Sequence, residues 1–303
     1  MRHLFIAGFS LVLASIVACT PSSDQDVSET APAAPPFESP YFTVAVTGSG
    51  PDVVLVPGLA SSSAVWDETV DALSDRFTLH TVQVSGFASA PARGNADNEN
   101  VLDDLAADLV TYTNTLEQSP ALVGHSLGGL VTLKAALNTE AELSRIVVVD
   151  VLPFFSVLMD EAATTESMAP VAAFMKATLL SQSDDVFALR QSEALAALVK
   201  DDTDLQSALN WSVESDRAVV AQAMSEVLVT DLRDEVSAIE IPTTIIYARD
   251  DAIPNMASVE QFYQTLYAPL SDGSLVAIDG ALHFVMLDQP KAFLGALESA
   301  LSE

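Results

Sequence analysis

Ala121-Leu122-Val123-Gly124-His125-Ser126-Leu127-Gly128-Gly129-Leu130 decides the architecture of this chain. Its first three residues are a short apolar run of strand type, and Leu130, Leu133 and Leu137 recur at helical spacing. Between the two lies Gly-x-Ser-x-Gly, so a strand turns sharply into a helix with a serine at the corner. Such a turn holds its backbone under strain and brings helix and strand close together, which is why glycines flank the serine two places either side. The serine oxygen then projects at a helix N-terminus, where amide groups and the helix dipole favour developing negative charge.

Working outward, β-branched runs alternate with longer helical patterns, as in βαβ units and a mostly parallel sheet. Strands are expected over 42–46, 53–56, 77–84, 121–123, 146–149, 243–247 and 273–278. Helices are expected from Trp66 to Leu73, along the face Leu102, Leu105, Leu109, Tyr112 and Leu116, after Ser126, and over 292–301. Residues 151–240 are rich in Ala, Leu, Met, Ser and acidic groups and contain no convincing strand. They read as a helical cap inserted between two halves of the core, 41–150 and 241–303.

The N-terminal end reads as an address. Arg2 precedes an apolar stretch from Leu4 to Val17, too short to span a bilayer comfortably, as in an export signal over 1–18. Ile16-Val17-Ala18-Cys19 resembles the lipobox of bacterial lipoproteins, in which the cysteine is acylated and becomes the new N-terminus. Cys19 is the single cysteine, so an internal disulfide is excluded. Residues 19–40, with Ala31-Pro32-Ala33-Ala34-Pro35-Pro36, bury too little to order themselves and read as a tether. The expected location is the periplasmic face of an outer membrane, held by an N-terminal lipid anchor.

Twelve Lys and Arg stand against 42 Asp and Glu, a net charge of -30 that repels nucleic acid and anionic lipid alike. Neither a ligand-spaced Cys/His cluster nor a Gly-rich phosphate loop with Lys-Ser or Lys-Thr is present, so no metal and no cofactor is expected.

A serine hydroxyl needs a base, and the chain has four histidines. His3 lies in the export signal, His80 sits inside a strand as a packed or edge residue, and His125 adjoins Ser126 but points elsewhere. His283, in the loop after the last strand, remains. The acid orienting it belongs between Ser126 and His283 in chain order, and Asp250 and Asp251 occupy the loop after the strand 243–247.

Taken together, these segments resemble the α/β-hydrolase family from Val53 to the C-terminus. Pro242, Ala248 and Asp251 resemble its P-x5-G-x-x-D segment with alanine for glycine, which favours Asp251. Counting back from Pro254 favours Asp250, so Asp251 ranks first and Asp250 close behind. Asp150, at the end of the preceding strand, is weaker, although some members of this fold place the acid there. Gly280 to Pro290 resembles the family's histidine loop, and Gly86 to Ser89 the loop after its fourth strand. Val56-Pro57-Gly58-Leu59-Ala60 resembles its oxyanion loop, with Pro57 where histidine is common.

The resemblance implies an α/β-hydrolase fold with a small-molecule, ester-like substrate. Ser126 would be nucleophile, His283 base, and the backbone amides of Leu59 and Leu127 the oxyanion hole. The same triad serves C-C bond hydrolases, thioesterases, acyltransferases and cofactor-free haloperoxidases, and a silent binding lipoprotein is a further alternative. An aspartate nucleophile, as in epoxide hydrolases and haloalkane dehalogenases, is disfavoured by Ser126.

Overall fold

The structure is a computed structural model that describes residues 37–302. The expected export signal, Cys19 and most of the expected tether lie outside the described residues.

Seven strands form one sheet: β1 (Phe42–Gly48), β2 (Asp52–Val56), β3 (Thr78–Val84), β4 (Ala121–His125), β5 (Arg145–Val149), β6 (Thr243–Arg249) and β7 (Gly273–Asp279). Their order is β1-β3-β2-β4-β5-β6-β7. Only β1 runs antiparallel to its neighbour, pairing Phe42 with Val84 through Gly48 with Thr78. The other five pairings are parallel. The central strands are apolar on both faces because both are covered, as parallel sheets require. Val54, Leu122, Ile146 and Val148 face a cluster that includes Leu105, Leu109, Leu130 and Leu133. Val53, Leu55, Val123, Val147 and Val149 face the opposite cluster with Trp66, Leu73, Phe293 and Leu297.

The covering helices are α1 (Asp67–Leu73), α2 (Val101–Thr113) and α3 (Leu127–Ala136). Between β5 and β6 come α4 (Thr165–Ser181), α5 (Asp184–Leu195), α6 (Asp202–Glu214) and α7 (Arg217–Val229), and no strand. The chain closes with α8 (Met256–Leu266), α9 (Val285–Asp288) and α10 (Pro290–Ser302). Side-chain caps start all four inserted helices: Thr164 accepts from Ser167 N, Ser183 from Val186 N, Asp201 from Thr203 N and Asp216 from Ala218 N. Helix α8 went unread in the sequence.

The inserted helices are bonded to loops at the carboxyl ends of the strands. Ala88 N donates to Ser215 Oγ at 2.9 Å and Asp216 N to Gly86 O at 2.7 Å, tying the α6–α7 turn to the loop after β3. Phe284 N donates to Leu198 O at 3.2 Å, and Lys200 N to Asp288 Oδ1 at 2.9 Å, tying the α5–α6 turn to the loop after β7. Three of the four methionines singled out in the insertion fill its seam with the core: Met168 is buried, and Met175 and Met224 rest against the same cluster. Met159 is 53% exposed.

His80 is buried inside β3 between two neighbours, so it is a core residue and not an edge one. Its Nδ1 lies 2.6 Å from Tyr112 Oη and its Nε2 2.8 Å from Asp52 Oδ1. Burial beside Asp52 pushes the Tyr112 phenol up to about 12.

Candidate active site

The sheet order reverses at β2, whose neighbours are β3 and β4, and open parallel sheets bind ligands in the crevice such a reversal leaves at the strands' carboxyl ends. Ser126 sits at that place, between the end of β4 and the start of α3. Its φ of 53° and ψ of -120° lie where a residue with a side chain rarely goes. The turn is held because Ser126 N donates to Val149 O at 2.9 Å, and Gly129 N to Ser126 O at 2.8 Å.

The glycines owe their presence to close approach. A Cβ on Gly124 would stand 2.1 Å from Gly128 O, and one on Gly128 2.5 Å from Val56 O. A Cβ on Gly58 would meet Ser126 Cβ at 3.2 Å, so the Gly58-Leu59 segment lies directly against the elbow. Leu127 opens α3, where a first-turn amide has no intrahelical acceptor.

His283 reaches the same corner through His125. The two rings lie 4.7 Å apart, centroid to centroid, and His125 Nε2 donates to the His283 carbonyl oxygen at 2.9 Å. That bond fixes the His125 tautomer, leaving Nδ1 as a buried acceptor with no partner among the described residues. Burial, then repulsion from His283, lowers the His125 pKa to about 3, against its bond to the His283 carbonyl and the attraction of Asp150. His125 is therefore a neutral strut between the elbow and the histidine loop. Among the described residues no hydrogen bond joins Ser126 to His283; in unliganded sites this contact is commonly long and tightens on binding.

The carboxylate that meets His283 is Asp150, and this corrects the ranking drawn from spacing. His283 Nδ1 lies 2.7 Å from Asp150 Oδ2. Asp150 Oδ1 accepts Ala248 N at 2.8 Å and Tyr263 Oη at 3.1 Å. Asp150 has a φ of 49°, a left-handed conformation that Asp tolerates better than most residues.

Asp250 turns away to Lys200 Nζ at 2.6 Å and to Ala252 N at 2.8 Å, and the Lys200 hydrogen bond, first, holds its carboxyl below the usual range. Asp251 is exposed, and its side chain makes no hydrogen bond among the described residues. The preceding Arg249 is taken by Asp279, at 2.5 and 3.0 Å. Spacing from Pro242 pointed to the loop after β6, whereas the carboxylate that faces the imidazole follows β5. The available signal for Asp150 was a charged residue closing the apolar run Ile146 to Val149 in the middle of a parallel sheet. Tyr263 carried no sequence signal of its own.

Among the described residues no group of three or more His, Cys, Asp or Glu side chains is arranged to hold a metal ion.

Solved structures share this arrangement of strands and helices, and curated relatives match it in sequence. Over 254 residues the chain is 26% identical to the pimeloyl-acyl-carrier protein methyl ester esterase of Aeromonas hydrophila subsp. hydrophila, covering 83% of this chain and 95% of that protein. With the protein so named from Vibrio cholerae it shares 28% over 255 residues, 82% of this chain and 93% of the other. The enol-lactonase of Burkholderia xenovorans LB400 superposes with a TM-score of 0.70 at 19% identity, covering 86% of this chain and 96% of that one. A thermophilic esterase from Thermogutta terrifontis gives 0.69 at 20% identity, with 86% and 93% covered. The family model for the alpha/beta hydrolase family matches residues 53–296, and this chain belongs to that family.

Proposed function

We propose that this chain hydrolyses a carboxylic ester through an acyl-enzyme formed on Ser126. The observation that carries the reading is the His283 Nδ1 to Asp150 Oδ2 bond of 2.7 Å, made beside a serine on a strained elbow. Relatives named as methyl ester esterases support the substrate class.

With Asp150 on Nδ1, the imidazole presents Nε2 as the base. His283 takes the proton of Ser126 Oγ as that oxygen attacks the ester carbonyl carbon, and the carbonyl oxygen becomes the oxyanion. The backbone amides of Leu59 and Leu127 bind it, a contribution of about 3 kcal/mol per donor in comparable sites. The tetrahedral intermediate collapses, His283 returns the proton to the departing alkoxide, and the acyl group stays on Ser126. Water, deprotonated by His283, then attacks the acyl carbon, the bond from that carbon to Ser126 Oγ breaks, His283 returns the proton to Oγ, and the acid leaves. Asp150 stays ionised throughout, orienting the ring and offsetting its positive charge.

The inserted helices act in this reading as a cap that selects the acyl or alcohol part. A groove of about 460 Å³ between the segment after β5 and α8 has an apolar side, with Leu158, Met159, Ile253, Val259 and Phe262, that suits an apolar chain, and a polar side with Asp160 and Glu161. At the other end of the chain, Cys19 becomes the lipidated first residue of an exported protein. Mass spectrometry of membrane-extracted protein should find an acylated N-terminal cysteine, lost in Cys19→Ala; an unmodified N-terminus elsewhere refutes the anchor.

The test of the activity is labelling by a fluorophosphonate probe together with turnover of nitrophenyl esters. Wild type should label and turn over, and Ser126→Ala should do neither while keeping its fold. Absence of Ser126-dependent labelling would make the chain a binding protein on a hydrolase fold.

A further inference from the structure

Tyr263 is 4% exposed and belongs to the buried core, yet it spends its hydroxyl on a single acceptor, Asp150 Oδ1 at 3.1 Å. Two more tyrosines fix its ring. Tyr247 on β6 stacks on it at 4.5 Å and 20°, and Tyr267, which caps the C-terminus of α8, at 6.3 Å and 13°. Tyr267 in turn donates to Val151 O at 2.8 Å, holding the residue next to Asp150. Burial first, and then the Asp150 charge, raises the Tyr263 phenol well above its usual range, so it remains a donor.

The geometry at the carboxylate is divided. Oδ1 receives the Ala248 amide and the Tyr263 hydroxyl, and Oδ2 is left for His283. One backbone amide alone fixes a point of the carboxylate but not its plane. A second donor on the same oxygen, from a different element, fixes the plane and keeps Oδ2 toward the imidazole.

We propose that Tyr263 is a positioning residue, which orients Asp150 so that this carboxylate, and not those at 250 and 251, serves His283. The inference rests on the reading of Ser126, His283 and Asp150 as a hydrolytic triad.

Tyr263→Phe removes one oxygen and keeps the stacked ring, and Tyr267→Phe is the matched control. Both are compared with wild type and Asp150→Asn by steady-state hydrolysis of nitrophenyl acetate, by denaturation, and by the downfield proton resonance of the His283 Nδ1–H. Tyr263→Phe should lower kcat about tenfold, the scale of one hydrogen bond to a charged group, with KM within about twofold. It should also shift or broaden the downfield resonance, which Asp150→Asn removes. Tyr267→Phe should cost stability but leave kcat within about twofold, since its bond goes to a backbone carbonyl.

A Tyr263→Phe protein with unchanged kcat, or an unchanged resonance, overturns the proposal, as do equal kcat losses in the two variants. A wild type without turnover, whose resonance is nonetheless lost in Asp150→Asn and moved in Tyr263→Phe, sinks the hydrolase reading while the positioning role stands. A wild type with neither turnover nor resonance overturns both.

Discussion

Replacing His125 by glutamine keeps a donor for the His283 carbonyl but removes a buried group that titrates. His125 is fully buried, and its folded pKa is lowered to about 3, by burial first and then by His283, against the opposing pull of its carbonyl bond and Asp150. In the unfolded chain an imidazole titrates at about 6.5. Between these values the unfolded chain binds a proton that the folded chain refuses. Stability is therefore full above about pH 6.5 and is lost as the pH falls toward about 3, with a limiting slope of about 1.4 kcal/mol per pH unit. Integrated from pH 7 to pH 5, this single group should cost about 2 kcal/mol. Urea unfolding followed by tryptophan fluorescence at pH 7 and pH 5, on wild type and His125→Gln, isolates it, because the other titrating groups are common to both proteins. Wild type should lose about 2 kcal/mol more than the variant over that interval. Parallel losses in the two proteins would show that His125 titrates normally, and the picture of a neutral strut between elbow and histidine loop would fall.

Asp150→Asn should reduce kcat by about ten-thousandfold, as loss of the acid does in comparable triads. Alanine at Asp251 or Asp250 should leave kcat within a few-fold, and steady-state kinetics showing the reverse order would restore the acid to the loop after β6. Gly128→Ala puts a methyl group 2.5 Å from Val56 O and 2.6 Å from Pro57 O, both backbone atoms that cannot swing aside. It should cost about 3 kcal/mol by chemical denaturation, and a near-neutral result would mean the elbow and β2 are less tightly opposed. Met159→Glu places a further charge on the apolar side of the groove beside α8, next to Asp160 and Glu161. It should raise KM for long-chain nitrophenyl esters while leaving the acetate ester unchanged, and equal effects on both would detach the groove from substrate selection.

The sequence was sufficient for the fold because the determinants of the fold are local. The apolar runs that became β2, β4 and β5 are strands by composition alone, and Gly124, Ser126 and Gly128 mark a strand-to-helix turn that few other arrangements require. Chain order and elimination then singled out His283, because only four histidines were available. What stayed hidden was nonlocal. Helix α8 carries Tyr263 and is capped by Tyr267, and it escaped notice because its value lies in what it faces across β6 and not in its own pattern.

The carboxylate beside His283 is the clearest case of a choice made only in three dimensions. Asp150 follows β5 and Asp250 and Asp251 follow β6, and linear spacing favoured the latter two. Lys200, from an inserted segment 50 residues earlier, draws Asp250 away. Ala248 N and Tyr263 Oη hold Asp150 in place from two other elements. Sequence alone determined that a serine, a histidine and a carboxylate would be available at the carboxyl edge of a parallel sheet. Which carboxylate meets the imidazole was decided by tertiary structure, because a carboxylate goes where its hydrogen-bond donors converge, and those donors lie far apart in the chain.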